Sequence, residues 1–477
     1  MPRRPFRRAR PLVGRRRAPN VRRRRMARDG VASATLPILS TDTNAATGFR
    51  FRDSAFMENR DIPVHRWIPW IAGFSATFVE DCMTAFLPRR SDRRSCVLDP
   101  FAGVGTTLVA AIAAGHDAVG FEINPYAALA CKVKVDSARL NVALLESYCT
   151  QYAVFSKNGS RTCPGTRPIE FQTRIPFFSD SIERQVFGFQ SFLASIKDRT
   201  VADIFRLAFG AVMVSFSNYS YEPSLCSRPG AGKPLIDDAD VHGCILKRLQ
   251  NMAHDIRWLQ DDLKGKPLPG VGKVHEMSFM ESRSVLAPAS VDLVVTSPPY
   301  MNNYHYVRST RPQMFWLGLV SQRAALRKLE HENIGKYWQT VRDAEPVALE
   351  FRHPELEDLL RDMRATRASE GAYGGPGWAN YVATYLNDSF KFLSVLKPSL
   401  ARGGTVVIVI GNSIIQGHEI KLEQTLADMA IQLGYELVAV ETLRTKRVGA
   451  SITKSTVRRG GKSQATLHES AVIIRKR

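Results

Sequence analysis

Residues 96–115 read CVLDPFAGVGTTLVAAIAAG, and the order of parts in that stretch decides the fold. A short apolar run, Cys96-Val97-Leu98, stops at Asp99-Pro100; Gly103 and Gly105 follow, and then an uncharged run rich in Ala. That is strand, glycine turn and helix, the first half of a βαβ unit. HDAVGFEINPYAALACKVK (116–134) repeats the order, and a turn with an amphipathic helix precedes both at 62–87. Residues 141–260 are mostly helical in pattern, with VADIFRLAFGAVMVSFSNYS (201–220) predicting helix and the Pro/Gly stretch SRPGAGKPLIDD (227–238) a loop. Strands are predicted near 272–277 and 291–295, and a charge-rich interruption covers 301–375. Helix 379–397, strand GGTVVIVIGNS (403–413), helix 420–433 and strands YELVAVETL (435–443) and ESAVIIRK (469–476) complete the chain. Strands alternating with helices predict an α/β fold: a doubly wound, mostly parallel sheet with helices on both faces. The last two strands, joined by a loop, should pair antiparallel at one edge.

Composition narrows the class. With 477 residues, 44% hydrophobic and 23% charged, the chain is globular in type. No apolar run reaches the roughly 18 residues of a membrane span, and no secretory leader pattern opens it. Seven scattered cysteines form neither a disulfide framework nor a CxxC pair, so a reducing, cytoplasmic setting is expected (the nucleoid, in a bacterium), with no metal site. The net charge is +21, and thirteen arginines without one acid fall between Met1 and Arg28, leaving +8 for the rest. Residues 1–30 read as a disordered, phosphate-attracting tail, with Met26 as an alternative start, and the basic body points to an acidic partner.

The first motif is Asp99-Pro-Phe-Ala-Gly-Val-Gly-Thr-Thr107. Gly103 and Gly105 permit a tight turn and close backbone approach to a ligand, and Thr106 or Thr107 can cap the next helix. Glu122 stands at the end of the next strand, where an open α/β sheet places the carboxylate that binds a ribose diol. The pattern is not GxGxxG and lacks the Lys of a phosphate loop. A nucleoside without a polyphosphate fits, S-adenosylmethionine (AdoMet) among them, with Asp99 facing its ammonium group.

The second motif is DLVVTSPPYMNNY (292–304). Pro298 and Pro299 have fixed φ and no N–H, so they offer stiff carbonyls and hold the Tyr300 ring at the end of a buried strand. A planar heterocycle stacked on Tyr300 could donate its exocyclic amine to the Pro298 carbonyl and to Ser297. That geometry suits methylation of an aromatic amine, whose lone pair is delocalised into the ring until acceptors draw on its N–H groups. If the amine is in a duplex, the base must flip out. Tyr304 and Tyr306 can then brace it, with Asn302 or Asn303 reading its edge.

Together these motifs resemble the AdoMet-dependent DNA amino-methyltransferases, which modify N4 of cytosine or N6 of adenine. LDPFAGVGTT is similar to their cofactor motif, FEINP to their ribose-binding acid and TSPPY to their catalytic motif. RWIPWIAGFSATF is similar to their methionine-contacting segment. The resemblance covers about 65–135, 272–304 and 380–475, and implies a seven-stranded Rossmann-like class I methyltransferase sheet. It implies Ser297, Pro298, Pro299 and Tyr300 as catalytic, and Phe74 (with Ser75), Asp99, Phe101, Gly103, Gly105, Thr106 and Glu122 as cofactor-binding. Ser297 in the first motif position leans to cytosine-N4. The family's adenine-contacting acid has no clear counterpart, Glu276 and Ser278 being the nearest residues. The resemblance also implies DNA as partner, with a restriction endonuclease where such enzymes serve restriction-modification.

The reading divides the chain into a tail (1–30), an AdoMet-binding half (60–140), a helical insertion favoured as target-recognition region (141–270), a catalytic segment (271–304), a second, more acidic insertion (305–378) and the remainder of the sheet (379–477). The loop 443–464 carries Arg444, Lys446, Arg447, Arg458 and Arg459 without an acid, as suits phosphate contacts. An adenine-N6 or RNA amino-methyltransferase uses the same geometry. The alternative of another class is an inactive nucleic-acid-binding protein on the same scaffold.

Overall fold

The computed structural model describes residues 51–70, 73–158, 165–221, 224–265, 269–302, 304–366, 375–445 and 467–477. The Arg-rich tail and most of the basic loop lie outside them. Seven strands form one sheet: Cys96–Asp99 (β1), Asp117–Phe121 (β2), Gly272–His275 (β3), Val291–Thr296 (β4), Leu400–Gly411 (β5), Tyr435–Thr445 (β6) and His468–Lys476 (β7). Their order is β3-β2-β1-β4-β5-β7-β6. Strands β1 to β5 are parallel, and β7 runs antiparallel to both β5 and β6. The loop-joined pair is thus antiparallel at the edge, as predicted. Strand order reverses between β1 and β4, so the crevice outside their carboxyl ends is where such a sheet binds ligands.

Residues alternate between two apolar layers with the period of a strand. Val97, Leu293, Val295, Val407, Val409 and Ile473 pack with Ala76–Phe86 (α1) and Thr106–Ala113 (α2). Leu98, Val294, Val406, Ile408, Ile410 and Ile474 face the other way, into the second layer. Burial on both faces is why these strands read as continuous apolar runs. Pro125–Asp136 (α3) returns after β2, and its start is encoded in Asn124-Pro125: the Asn124 side chain accepts from the Tyr126 and Ala127 N–H groups, and Pro125 occupies the first turn.

The first insertion holds Val142–Asn158 (α4), Asp180–Ser195 (α5), Arg199–Val212 (α6) and Val241–Asp262 (α7), with a core of its own that reaches α3. The helix expected over 201–220 stops at Val212. Ser215 and Ser217 turn their hydroxyls back onto the Val212 and Val214 carbonyls, and a short hairpin, Tyr219–Tyr221 with Leu225–Ser227, follows. After β4 come Tyr306–Trp316 (α8), Arg323–Glu332 (α9), Trp338–Val341 (α10) and Pro354–Ala365 (α11). Gly377–Ser399 (α12) and Leu422–Gln432 (α13) then build the second apolar layer with the sheet.

Two buried carboxylates fix the parts that frame the crevice. Asp292, in β4, accepts from Arg90, Arg93 and the Cys96 N–H, tying β4 to the start of β1. Burial alone would raise its pKa, but Arg93, the Cys96 N–H and Arg90 together outweigh it and hold the carboxyl below its ordinary range. Asp255, on α7, accepts from the Val64 N–H, Arg66 and the Trp67 indole, anchoring the segment that carries Trp70 to the rim.

Candidate active site

One cavity lies at the carboxyl ends of β1, β2 and β4, and both motifs open onto it. Asp99, Phe101, Gly103, Thr106 and Glu122 line one end and Ser297, Pro298, Pro299 and Tyr300 the other, with Phe74 and Trp70 on the rim. Asp99 and Ser297, far apart in the sequence, thus share one space.

The first end is a backbone cradle. Gly103 and Gly105 both have positive φ, 50° and 85°, and a Cβ built on Gly105 would lie 2.8 Å from the Cys131 Sγ. Only glycine fits there without strain. Gly105, in left-handed conformation, caps α2 with no side-chain hydrogen bond, so the cap expected from Thr106 or Thr107 is absent. Thr106 already lies inside the helix, and the Thr107 hydroxyl instead donates to the Val295 carbonyl of β4 (3.1 Å). Glu122 accepts from the Gly103 N–H (2.9 Å) through one oxygen and from the Asn124 N–H (2.7 Å) through the other, so the acid is fastened to the glycine turn. Asp99 accepts from the Thr296 hydroxyl (2.6 Å) and the Phe101 N–H (3.1 Å), joining the first motif directly to the residue before Ser297.

Charge in this cavity is one-sided. Its described lining holds three carboxylates, Asp99, Glu122 and Glu332, and no Lys, Arg or His, in a chain whose net charge is +21. Burial pushes Glu122 up to about 7 against the pull of the Asn124 and Gly103 N–H groups, with Asp99 adding to the rise. Burial likewise pushes Asp99 up to about 6, opposed by the Thr296 hydroxyl and the Phe101 N–H. Buried carboxylates without a neighbouring cation are stabilised by a cationic ligand, and a phosphate would be repelled. The spare lone pairs on Glu122 can accept ribose hydroxyls while its backbone bonds persist. These residues fit a cationic nucleoside such as AdoMet.

At the other end, Tyr300 is braced by residues from far along the chain. Its hydroxyl donates to Glu469 Oε1 (3.1 Å) and lies within hydrogen-bonding reach of Ser297. Glu469, 3% exposed at the start of β7, is ion-paired with Arg444 of β6. Burial, followed by the Glu469 charge, holds the Tyr300 phenol well above its ordinary pKa, so it stays neutral. The Tyr385 hydroxyl of α12 donates to the Pro299 carbonyl (2.7 Å), pinning the proline pair from behind.

Other expected residues separate. Phe74 lines the cavity, whereas Ser75 caps α1 by accepting from the Phe78 N–H. Ser278 lines the cavity, whereas Glu276 pairs with Lys132 (2.8 Å) outside it. Tyr306 lines the cavity. Tyr304 instead borders an adjoining pocket, its ring edge-on to Tyr306 at 4.9 Å and its hydroxyl on Ser309 (3.0 Å). Asn302 is exposed, its side chain accepting from the Tyr304 N–H, and does not line the cavity. Arg444 is drawn into the Glu469 pair rather than standing in an acid-free loop. Lys446, Arg447, Arg458, Arg459 and Asn303 lie outside the described residues. Sequence reading missed Glu469 and Tyr385 altogether. A glutamate at the head of the apolar run SAVIIRK was a usable signal, since buried acids need partners; Tyr385 gave none.

Residues 57–132 match the family profile described as DNA methylase. The Type II methyltransferase M.BsoBI of Geobacillus stearothermophilus is 23% identical over 436 residues, covering 83% of each chain. The Type II methyltransferase M.AvaI of Nostoc sp. (strain PCC 7120 / SAG 25.82 / UTEX 2576) is 23% identical over 452 residues, 86% of this chain and 89% of the relative. A solved structure, the rRNA methyltransferase aviRa of Streptomyces viridochromogenes, is 10% identical and overlaps 85% of this chain and 87% of that one, loosely, at a TM-score of 0.31. The matched segment carries the glycine cradle and Glu122, both relatives align along most of the chain, and the TSPPY strand end opens onto the same cavity: together these findings support the DNA amino-methyltransferase family.

Proposed function

We propose that this protein transfers a methyl group from AdoMet to the exocyclic N4 amine of cytosine in DNA, on a base flipped out of the duplex. The observation that carries the reading is the shared cavity: an acid-lined glycine cradle free of cations at one end and Ser297-Pro298-Pro299-Tyr300 at the other. AdoMet, when bound, supplies the methyl group as an electrophilic sulfonium. Gly103 and Gly105 let the backbone close on it, Glu122 accepts the ribose hydroxyls, and Asp99 faces the ammonium. Tyr300 stacks against the base, while Ser297 Oγ and the Pro298 carbonyl accept from its amine. As nitrogen gains the methyl it sheds a proton, and acceptors already holding its N–H groups lower the cost of that change. Catalysis is otherwise positioning, for which the Tyr300–Glu469 and Tyr385–Pro299 bonds supply rigidity.

Ser297 as the first motif residue supports cytosine over adenine, and the alignment with two Type II methyltransferases supports a role beside a restriction endonuclease. We assign the reading of sequence to residues 141–270, whose helices share one apolar cluster with α3 and α8 beside the cavity. The test is to incubate the purified chain with methyl-labelled AdoMet and genomic DNA, digest to nucleosides and identify the labelled product. Label in N4-methylcytosine is expected. Label in N6-methyladenine would keep the mechanism and overturn the base; AdoMet bound with no DNA labelled would point to RNA; neither binding nor label would leave an inactive nucleic-acid-binding protein.

A further inference from the structure

The acidity of the cavity raises a question about the rest of the nucleotide. A flipped base brings its phosphates with it, and the described cavity lining offers no cation to meet them. Cations converge elsewhere, further along α8. There an open depression is lined by Arg174, by Arg311 of α8, and by Arg323 and Arg327 of α9, against two acids, Glu170 and Glu330.

Arg323 is already committed: its N–H donates to the Glu170 carboxylate and its guanidinium to the Glu170 carbonyl (3.1 Å) and the Gln172 side chain (2.7 Å). These bonds brace the floor, and both the Arg323 and the Glu170 charges remain. Arg311 is held in place without being neutralised. Its guanidinium sits 5.4 Å from the centre of the Phe171 ring and donates to the Gln172 carbonyl (3.3 Å), while its buried Nε finds no acceptor among the described residues. Burial, then Arg308 and Arg323, pulls its pKa down, which marks a cation short of negative neighbours. Arg174 and Arg327 are exposed and form no ion pair among the described residues. Four arginines against the two acids Glu170 and Glu330 leave the hollow with an excess of positive charge that a bound anion would offset. Guanidinium groups braced by a ring and a carbonyl are preorganised for phosphate.

Position ties the hollow to the cavity. Tyr306, at the start of α8, lines the cavity, and Arg311 lies little more than one turn further along the same helix. We propose that this arginine hollow is a phosphate-binding site that grips the DNA backbone beside the flipped nucleotide; the identity of the polyanion rests on the function proposed above. Arg174 comes from the first insertion and the other three from the second, so both insertions build it.

The test measures binding of the full-length chain to a random-sequence DNA duplex over a series of KCl concentrations, for the wild type, Arg327→Gln, Arg311→Gln and the Arg174→Gln/Arg327→Gln double variant. Each lost phosphate contact should weaken binding by about three- to tenfold at moderate salt and lower the slope of log affinity against log salt by about one, equally across sequences. Arg327→Lys should restore the slope, because it keeps the charge. AdoMet binding by calorimetry should stay at the wild-type value in every variant. An unchanged slope and affinity in the double variant, whose two side chains are exposed so that folding is not in question, would overturn the site. Methyl transfer is read separately: loss of salt-dependent binding in a chain that labels no DNA would sustain the hollow while sinking the proposed reaction.

Discussion

The cavity and the arginine hollow both draw lining residues from α8 and α9 and have opposite chemistry. Among the described residues the cavity lining has three carboxylates and no cation, and the hollow has four arginines and two acids. A nucleotide has the matching division, with a neutral base at one end and a phosphate at the other. In the proposed reaction AdoMet would add positive charge where the carboxylates are. The comparison teaches that an overall net charge of +21 says little about any one site, since a cavity lined by three carboxylates sits within a strongly basic chain.

The sharpest way to break this division is to damage one side and find the other affected. Tyr300→Ala removes the stacking ring from the cavity and should lower methyl-transfer turnover by about 100-fold or more, the scale of a lost positioning contact. AdoMet affinity and the salt slope of DNA binding should stay within about twofold, because Tyr300 touches neither the glycine cradle nor the hollow. A Tyr300→Ala variant with weakened salt-dependent binding would show that the two sides are not separate.

The next largest effect is at Glu122 and carries a pH signature. Glu122→Gln leaves only one side-chain acceptor for the Gly103 and Asn124 N–H groups, so AdoMet affinity should fall about tenfold or more. In the wild type the sign follows from burial. Glu122 stands near 7 in the fold, and the ionised form is the one that accepts ribose hydroxyls. Affinity should therefore rise with pH, by about tenfold between pH 6 and pH 8, with Asp99, near 6, adding at the lower end. Without ligand the fold prefers the neutral acid, so this group's contribution to stability falls as pH climbs from its unfolded value near 4.5 through 7. Calorimetric titration across that range should give a rising curve for the wild type and a much flatter one for Glu122→Gln.

The same comparison explains what the sequence made legible. The cradle was readable because its parts are near one another: Gly103 and Glu122 are 19 residues apart and belong to one strand–turn–helix unit whose period and glycines announce it. The strand end at Ser297 was readable as a local pattern of prolines. Its supports were not, because Tyr300–Glu469 spans 169 residues and Tyr385–Pro299 spans 86, and no local period connects them. The hollow was hidden for a related reason. Its arginines come from 174, 311, 323 and 327, and the second insertion read as the more acidic one; folding brings these four around one hollow. Arg444 shows the converse error, since a cation read as phosphate-facing is held by a buried glutamate.

Glu469 separates support from chemistry within the cavity. Glu469→Gln keeps an acceptor for the Tyr300 hydroxyl but leaves Arg444 without its charge partner. Arg444 retains some exposure, so stability should fall by about 2 kcal/mol, less than a fully buried pair would cost, as read by the thermal midpoint. Turnover should drop about three- to tenfold at unchanged AdoMet affinity.

The smallest effect expected is at Tyr385, and it discriminates most finely. Tyr385→Phe fills the same volume in the core but leaves the Pro299 carbonyl without its donor, which costs about 1 kcal/mol of stability. The ring stays packed against α12 and the sheet, so the fold has no reason to change. What does change is the stiffness of the proline pair. Two adjacent prolines fix both φ angles and Pro299 confines the ψ of Pro298, but the ψ of Pro299 is left free, and the Tyr385 bond restrains its carbonyl. If the prolines act by holding an amine acceptor still, Tyr385→Phe should lower turnover about two- to fivefold, with KM for DNA and AdoMet affinity unmoved. If they serve only to end β4, turnover should match the wild type once the thermal loss is allowed for. A change in KM alone would place Tyr385 in substrate binding and count against a positioning role.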